Sequence, residues 1–216
     1  MDSAPKKFVL FDFDGVIADS FALGYDVARI VHHEANLTPD DYREWFEGNV
    51  YESIKKKVPG GPRDEAYFAE FAPRAKNEVG LIEGVVDVVA KLHESYTLII
   101  ISSTISHSIQ DFLDRHTLGH YFSDVMGSDV HRSKVEKIRM VFEKYDTAAD
   151  QCVFITDTLG DMREAKEHGI GAIGVPWGWH THATLEKGIP FRIVDTPAEL
   201  PDAVDDYFAR SNPENA

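Results

Sequence analysis

Three short apolar runs constrain this chain more than any other feature of its sequence: FVLF from Phe8, TLIII from Thr97 and CVFIT from Cys152. None alternates apolar with polar residues. A near-continuous apolar strand is one covered on both faces, as in a parallel sheet between two layers of helices. With the weaker runs included, strands are expected over residues 8–13, 97–102, 124–127, 152–156, 172–175 and 191–194. Helical spacing fills the intervals. Val85, Val88, Val89 and Leu92 fall at i, i+3, i+4 and i+7, and so do Ile138, Val141, Phe142 and Tyr145. Leu200, Val204 and Tyr207 mark a last helix, opened by Pro197. Strand alternating with helix predicts an α/β fold with a Rossmann-like, doubly wound parallel sheet.

Between residues 20 and 81 that rhythm stops. No strand is legible there, but Leu23, Val27, Ile30 and Val31 make one helical stripe, and Phe68, Phe71, Ala72 and Ala75 another. Pro39, the PGGP at 59–62 and Pro73 punctuate the stretch. The expectation is a helical unit, residues 20–81, inserted into a core built from residues 1–19 and 82–216. The closing SNPENA is polar and expected to fray.

Charge and cysteine usage narrow the function classes. Of 216 residues, 22 are Lys or Arg and 37 are Asp or Glu, a formal charge of −15. Such a surface repels nucleic acid and anionic lipid. The one dense basic run, Lys55 to Lys57, reads as a solvated helix face. The single cysteine, Cys152, excludes an internal disulfide, fits a reducing compartment and is expected to act as a small hydrophobe in a buried strand. No apolar run reaches the roughly 18 residues of a membrane span. MDSAPKK runs straight into the first strand, so no signal peptide is expected. A cytoplasmic protein, monomeric or homodimeric, is the resulting expectation.

In open α/β sheets the chemistry gathers beyond the carboxyl ends of the strands. The first strand ends in Asp12-Phe13-Asp14-Gly15, the second in Ser102-Ser103-Thr104, and the fourth in Asp157, followed by Gly160 and Asp161. Lys134 opens the helix before the fourth. Four carboxylates meeting in one crevice repel unless a cation sits among them, and magnesium is the hard ion suited to carboxylate, carbonyl and water oxygens. Phosphoryl transfer to a carboxylate uses such a set. Asp12 is placed as nucleophile. Asp14 would protonate the leaving oxygen and then deprotonate water. Gly15 allows the sharp turn beside the phosphate, Ser102 and Ser103 offer a hydroxyl and backbone N–H groups, and Lys134 neutralises phosphate and Asp12. Asp157 would complete the magnesium shell with Asp161 in support. Each residue alone has a plainer explanation as a loop carboxylate, helix cap or solvated lysine. The set gains weight because its members fall in order at strand ends.

The segments FVLFDFDGVIADS, LIIISST, RSKVEK and VFITDTLGDMREAKEHGI resemble the four motifs of the haloacid dehalogenase superfamily, in its phosphoglycolate phosphatase-like branch with a small helical cap. The resemblance spans residues 8–194. It implies a Rossmann-like core, a cap of the first type (C1), and magnesium-dependent hydrolysis of a small phosphorylated metabolite through an aspartyl-phosphate. It also implies a metal held by the Asp12 side chain, the Asp14 backbone carbonyl and Asp157. Three departures stand out. Thr156 replaces the usual glycine before Asp157. Val135 replaces the usual proline after Lys134, and Lys137 lies near enough to compete for the motif-lysine role. The stretch 48–53 has no arginine, with Asn49 and Tyr51 there instead. Asn49, Tyr51 and Lys55 are the candidates for substrate specificity. The alternatives are a phosphonate hydrolase using a cap lysine, a phosphomutase, or a non-catalytic phosphate-binding module. Retention of Asp14 speaks against the last. The WGWHTH stretch resembles a loop after the fifth strand and reads as rim or surface, with a metal role for His180 and His182 the minor reading. His32-His33 reads as a partly exposed helix pair.

Overall fold

In a computed structural model, which describes residues 6–210 apart from the side chain of Glu34, the chain opens with β1 (Phe8–Phe11) and β2 (Ala18–Asp19). Four helices follow: α1 (Phe21–Val31), α2 (Pro39–Glu44), α3 (Val50–Lys57) and α4 (Asp64–Glu78). Then come β3 (Gly80–Leu81), α5 (Val85–His93), β4 (Thr97–Ile101), α6 (Ser106–Arg115), β5 (Phe122–Met126) and α7 (Lys134–Tyr145). The chain closes with β6 (Cys152–Thr156), α8 (Leu159–Glu167), β7 (Gly171–Gly174), α9 (His182–Glu186), β8 (Arg192–Ile193) and α10 (Leu200–Arg210).

Six strands form a parallel sheet in the order β5-β4-β1-β6-β7-β8, with Phe8 in register with both Thr97 and Cys152. The apolar runs are continuous because both faces are covered. Phe8 and Leu10 pack with Ile99, Ile101, Phe154 and the α7 residues Ile138 and Val141 on one side. Val9 and Phe11 pack with α5, α6 and α10 on the other, through Val89, Ile109 and Val204. Cys152 is fully buried, and burial pushes its thiol up to about 12. No helix among the described residues is long and apolar enough to cross a membrane.

The strands differ from the sequence expectation mainly at their ends. β1 stops at Phe11, and β5 begins two residues earlier than expected. Pro197 opens a 3-10 turn closed by a Thr196–Glu199 capping box, and α10 itself starts at Leu200. SNPENA and MDSAP lie outside the described residues.

The stretch read as strandless contains one short strand. Ala18 pairs with Leu81 and Asp19 with Gly80 in an antiparallel ribbon joining the two crossings between the sheet and the helical insert. Two residues are too few to show a period. In α1, Leu23 and Val27 are buried but Ile30 is 50% exposed, because that end of the stripe runs off the packed surface. Pro73 does not punctuate; it lies inside α4 on an exposed face. The Ala69 carbonyl that loses its partner is on that side too, where water can replace the bond. Pro39 does start a helix, with a Thr38–Asp41 capping box. His32 is buried edge-on against Trp45, 5.6 Å between rings, whereas His33 is exposed.

Candidate active site

The strand order reverses at β1, so the carboxyl ends of β4, β1 and β6 adjoin, the place where open α/β sheets form a crevice. Asp12 leaves β1 with its N–H still bonded to Ile155 O at 2.9 Å. Its Oδ1 accepts the Phe13 N–H at 2.8 Å and lies 2.8 Å from Lys134 Nζ. The same Nζ donates to Asp161 Oδ2 at 2.7 Å. Ser133 caps α7, which places Lys134 in the first turn above the sheet. Thr158 caps α8 and receives the Asp161 N–H. Thr156, the departure from the family pattern, donates its hydroxyl to Asp161 Oδ2 at 2.8 Å and braces that carboxylate.

Electrostatics separates the acids. Burial lifts Asp12 well above the ordinary carboxylate value, against the pull of Lys134 and helped by Asp161 and Asp157. Burial also opposes the charge of Asp161, yet Lys134 and its hydrogen-bond donors hold it below the ordinary value. Burial opposes the charge of Lys134 as well, and the two aspartates overcome it and keep the ammonium. One lysine therefore does not offset the buried negative charge.

Asp14 is held differently. Ser20 Oγ donates to its Oδ1 and Thr104 Oγ1 to its Oδ2, each at 2.7 Å. Burial raises its pKa, and those two hydrogen bonds restrain the rise. Gly15 follows at φ +76°, and a Cβ there would lie 2.1 Å from Asp157 Oδ2 and 2.5 Å from the Trp179 ring. No other residue fits that turn.

Asp157 is fully buried and lines neither cavity described below. Its Oδ2 accepts the Trp179 N–H at 2.6 Å, while its Oδ1 has no hydrogen-bond partner among the described residues. Burial pushes its pKa up to about 8. A buried carboxylate oxygen without a donor, beside a second carboxylate that its charge reaches, suits a hard divalent cation. No cluster of three or more His, Cys, Asp or Glu side chains capable of holding a metal occurs among the described residues. A donor set of the Asp12 and Asp157 carboxylates with the Asp14 carbonyl needs no such cluster.

The remaining candidates divide. Ser102 is buried, accepts the Thr104 N–H and lines the crevice, as does Ser103. Both sit in the loop before α6, whose N-cap is Ile105, so neither caps that helix. Lys137 is fully buried one turn beyond Lys134, but its Nζ donates to Ser102 O at 2.5 Å and Gly127 O at 3.4 Å, away from the carboxylates. Burial, with Lys134 nearby, pushes it down to about 7. Tyr51 donates to Ser103 O at 3.1 Å. Asn49 caps α3 and donates to Glu164 Oε1 at 3.2 Å, so it ties the insert to the core instead of facing a ligand. Lys55 is exposed and lines neither cavity.

Several residues were not foreseen. Glu164 lies one turn after Asp161 on α8, accepts the Lys134 N–H at 3.2 Å and lines the crevice; its i, i+3 spacing from Asp161 was the available signal. The roles of Ser20 and Thr104 carry no sequence signal, because both depend on where Asp14 points. The WGWHTH stretch is not a surface loop at its centre: Trp179 and His180 are 5% and 2% exposed. His180 Nδ1 accepts the Leu159 N–H at 2.9 Å, so its Nε2 is the donor to Arg43 O, also at 2.9 Å. Both nitrogens are engaged and burial lowers the pKa, making His180 a neutral strut between core and insert. His182 is exposed beside Glu186.

Two adjoining cavities occupy the junction of insert and sheet. The smaller, about 40 Å³, is lined by Asp12, Ser102, Lys134, Asp161 and Glu164. The larger, about 100 Å³, extends into the insert. They share Asp14, Phe46, Val50, Ser103 and Trp179.

A family model for haloacid dehalogenase-like hydrolases matches residues 9–175. The chain is 26% identical to a phosphoglycolate phosphatase of Synechococcus elongatus over 203 residues, 91% of this chain and 96% of that protein. It is 33% identical to a Dickeya dadantii protein named Probable phosphatase IndB over 214 residues, covering 90% and 92%. Among solved structures, a haloacid dehalogenase-like hydrolase of Streptococcus pneumoniae superposes with a TM-score of 0.79 at 22% identity, covering 93% of this chain and 99% of that one.

Proposed function

Because the chain belongs to the haloacid dehalogenase-like hydrolase family, we propose that it is a magnesium-dependent phosphatase that hydrolyses a small-molecule phosphate monoester through a phosphoryl-aspartate on Asp12. The observation that carries the reading is the pair of carboxylates two residues apart. Asp12 is held beside the Lys134 ammonium, and Asp14 is clamped by two hydroxyls at the opening to the larger cavity. The phosphatase names of the relatives support it.

The Asp12 carboxylate attacks phosphorus, a P–O bond to Asp12 forms and the ester P–O bond breaks. Asp14, whose buried carboxyl holds its proton to higher pH than an exposed one, gives that proton to the departing alkoxide. A water then attacks the same phosphorus while Asp14 takes its proton. The acyl-phosphate bond breaks, inorganic phosphate leaves and Asp12 is restored. Lys134 and the loop after β4 surround the equatorial phosphate oxygens with positive charge and donors. Asp12, Asp157 and the Asp14 carbonyl would hold Mg²⁺, which when bound offsets their charge and polarises the phosphoryl group. Turnover of p-nitrophenyl phosphate with added magnesium is the expected result, abolished by EDTA and restored by excess magnesium. Undiminished hydrolysis in EDTA would sink the metal requirement.

Residues 20–81 act in this reading as a cap over a core of residues 1–19 and 82–216. The phosphonate-hydrolase alternative gains no support, since the only lysine lining either cavity among the described residues is Lys134 of the core. Cap seating is testable at Gly160, where a Cβ would lie 2.4 Å from Gly48 O and 2.7 Å from Phe46 O. Both obstacles are backbone of the insert, so Gly160→Ala must lift it. An ångström of misplacement costs roughly 10²-fold in rate. The expected outcome is a kcat/KM loss of that order with the melting temperature nearly unchanged; unaltered kinetics would mean that the seat is immaterial.

A further inference from the structure

The larger cavity meets the smaller at Asp14, the residue that protonates the leaving oxygen, so the leaving alcohol belongs in the larger one. Aromatic side chains are the commonest residues in its wall. Tyr42, Trp45, Phe68, Phe71 and Trp179 contribute, and the rings are locked against one another: Tyr42 on Trp45 at 5.6 Å, Tyr67 stacked on Phe71 at 5.6 Å, Phe46 on Trp179 at 5.7 Å. The charged groups lining it are Asp14, Asp64 and Arg63. Asp64 is ion-paired to Arg132, and Arg63 Nη1 donates to Val31 O at 2.7 Å. With Asp64 already paired to Arg132, Asp14 and Arg63 balance, so the cavity holds no surplus positive charge to recruit a second anion.

At the floor, the Tyr42 and Tyr67 hydroxyls approach to 3.5 Å over α1. Gly24 makes room for them, since a Cβ there would lie 2.8 Å from the first and 3.2 Å from the second. Burial raises the pKa of both phenols, so both stay neutral and can bond one uncharged heteroatom. In size the space is comparable to the apolar cavity of about 150 Å³ that takes a benzene ring in another protein.

We propose that the substrate is a phosphate monoester of an uncharged alcohol bearing a single planar ring, with the ring enclosed by the cap aromatics. The proposal rests on the phosphatase reading for its phosphate half and on the cavity for its ring half. It also predicts that a short ester ending in a carboxylate, such as 2-phosphoglycolate, is a poor substrate.

The test compares benzyl phosphate with ethyl phosphate, 2-phosphoglycolate and phosphocholine. Their leaving groups are all aliphatic alkoxides, which avoids the activated leaving group of an aryl ester. Burying the ring is worth roughly 30- to 100-fold. The expected result is a kcat/KM for benzyl phosphate higher than that for ethyl phosphate by that factor, with a wider gap over 2-phosphoglycolate. Calorimetric binding to the Asp12→Asn protein should give the same order without turnover. Phe68→Ala should shrink the benzyl-to-ethyl ratio roughly tenfold, with Phe71→Leu as a gentler check if the first variant folds poorly. Equal binding of benzyl and ethyl phosphate overturns the proposal. So does preference for 2-phosphoglycolate, or for phosphocholine, which would make the rings a cation cage. The two failures are separable. Ring preference in binding with no hydrolysis of any ester refutes the phosphatase reading and keeps the cavity assignment. Magnesium-dependent hydrolysis without ring preference does the reverse.

Discussion

Replacing Asp12 by asparagine is expected to leave a folded protein whose kcat falls by roughly 10⁴- to 10⁶-fold, the scale on which loss of a covalent nucleophile is felt. The side chain keeps its volume, and the amide oxygen can still accept the Phe13 N–H and face Lys134. What is lost is a carboxylate able to attack phosphorus. Stability should hold or rise, because burial already makes the Asp12 charge unfavourable and the substitution removes it. Steady-state kinetics with a thermal melt decide the matter. Near-normal turnover by a folded Asp12→Asn enzyme excludes Asp12 as nucleophile and reassigns the chemistry of the whole site.

The second large effect is on stability and distinguishes two lysines that the sequence left in competition. Lys134→Met removes the cation between Asp12 and Asp161, both nearly buried, and leaving buried carboxylates without their partner costs about 3–5 kcal/mol. The sign of its pH dependence follows from Asp161. In the native protein its pKa is depressed, so it adds stability above the unfolded value of about 3.9 and loses it as pH falls through the folded value. Without Lys134 the same burial raises that pKa, and stability instead falls as pH climbs past about 3.9. The gap between the two proteins should therefore be smallest in acid, below the folded value of Asp161, and widen as pH rises toward 8. Turnover should drop to background. Lys137→Met removes a buried ammonium already pushed down to about 7 and leaves Ser102 O without its donor, while Gly127 O keeps the Val130 N–H. A loss of about 1–2 kcal/mol and a rate reduced roughly tenfold are expected, the scale of a lost hydrogen bond. Denaturation of both variants across pH checks the assignment; equal losses, or a larger one at Lys137, would reverse it.

The two lysines also mark where linear reasoning ends. They are three residues apart on one helix and both buried; spacing to Asp157 favours Lys134 without excluding Lys137, and charge does not separate them. The separation comes from α7 crossing the sheet, so that its first turn lies over the ends of β1 and β6 while the next lies over Ser102 and Gly127. Asn49 and Lys55 show the same limit. Both were singled out in the insert as specificity candidates, yet one is consumed as a cap and latch and the other is exposed. Pro73, read as punctuation, sits in a helix because its face is exposed, a fact that only the packed insert supplies.

What the chain determined unaided is the layered sheet and the positions of Asp12, Asp14, Ser102 and Asp157. Parallel strands buried on both faces must be apolar throughout, and their carboxyl ends are where polar residues first become tolerable, so composition and location are one signal. Tertiary structure alone decided which hydroxyls clamp Asp14, which lysine meets the carboxylates, and the aromatic cavity assembled from the insert and the loop carrying Trp179. Those depend on side chains far apart in sequence meeting at a few ångströms, and local periodicity holds no record of such distances.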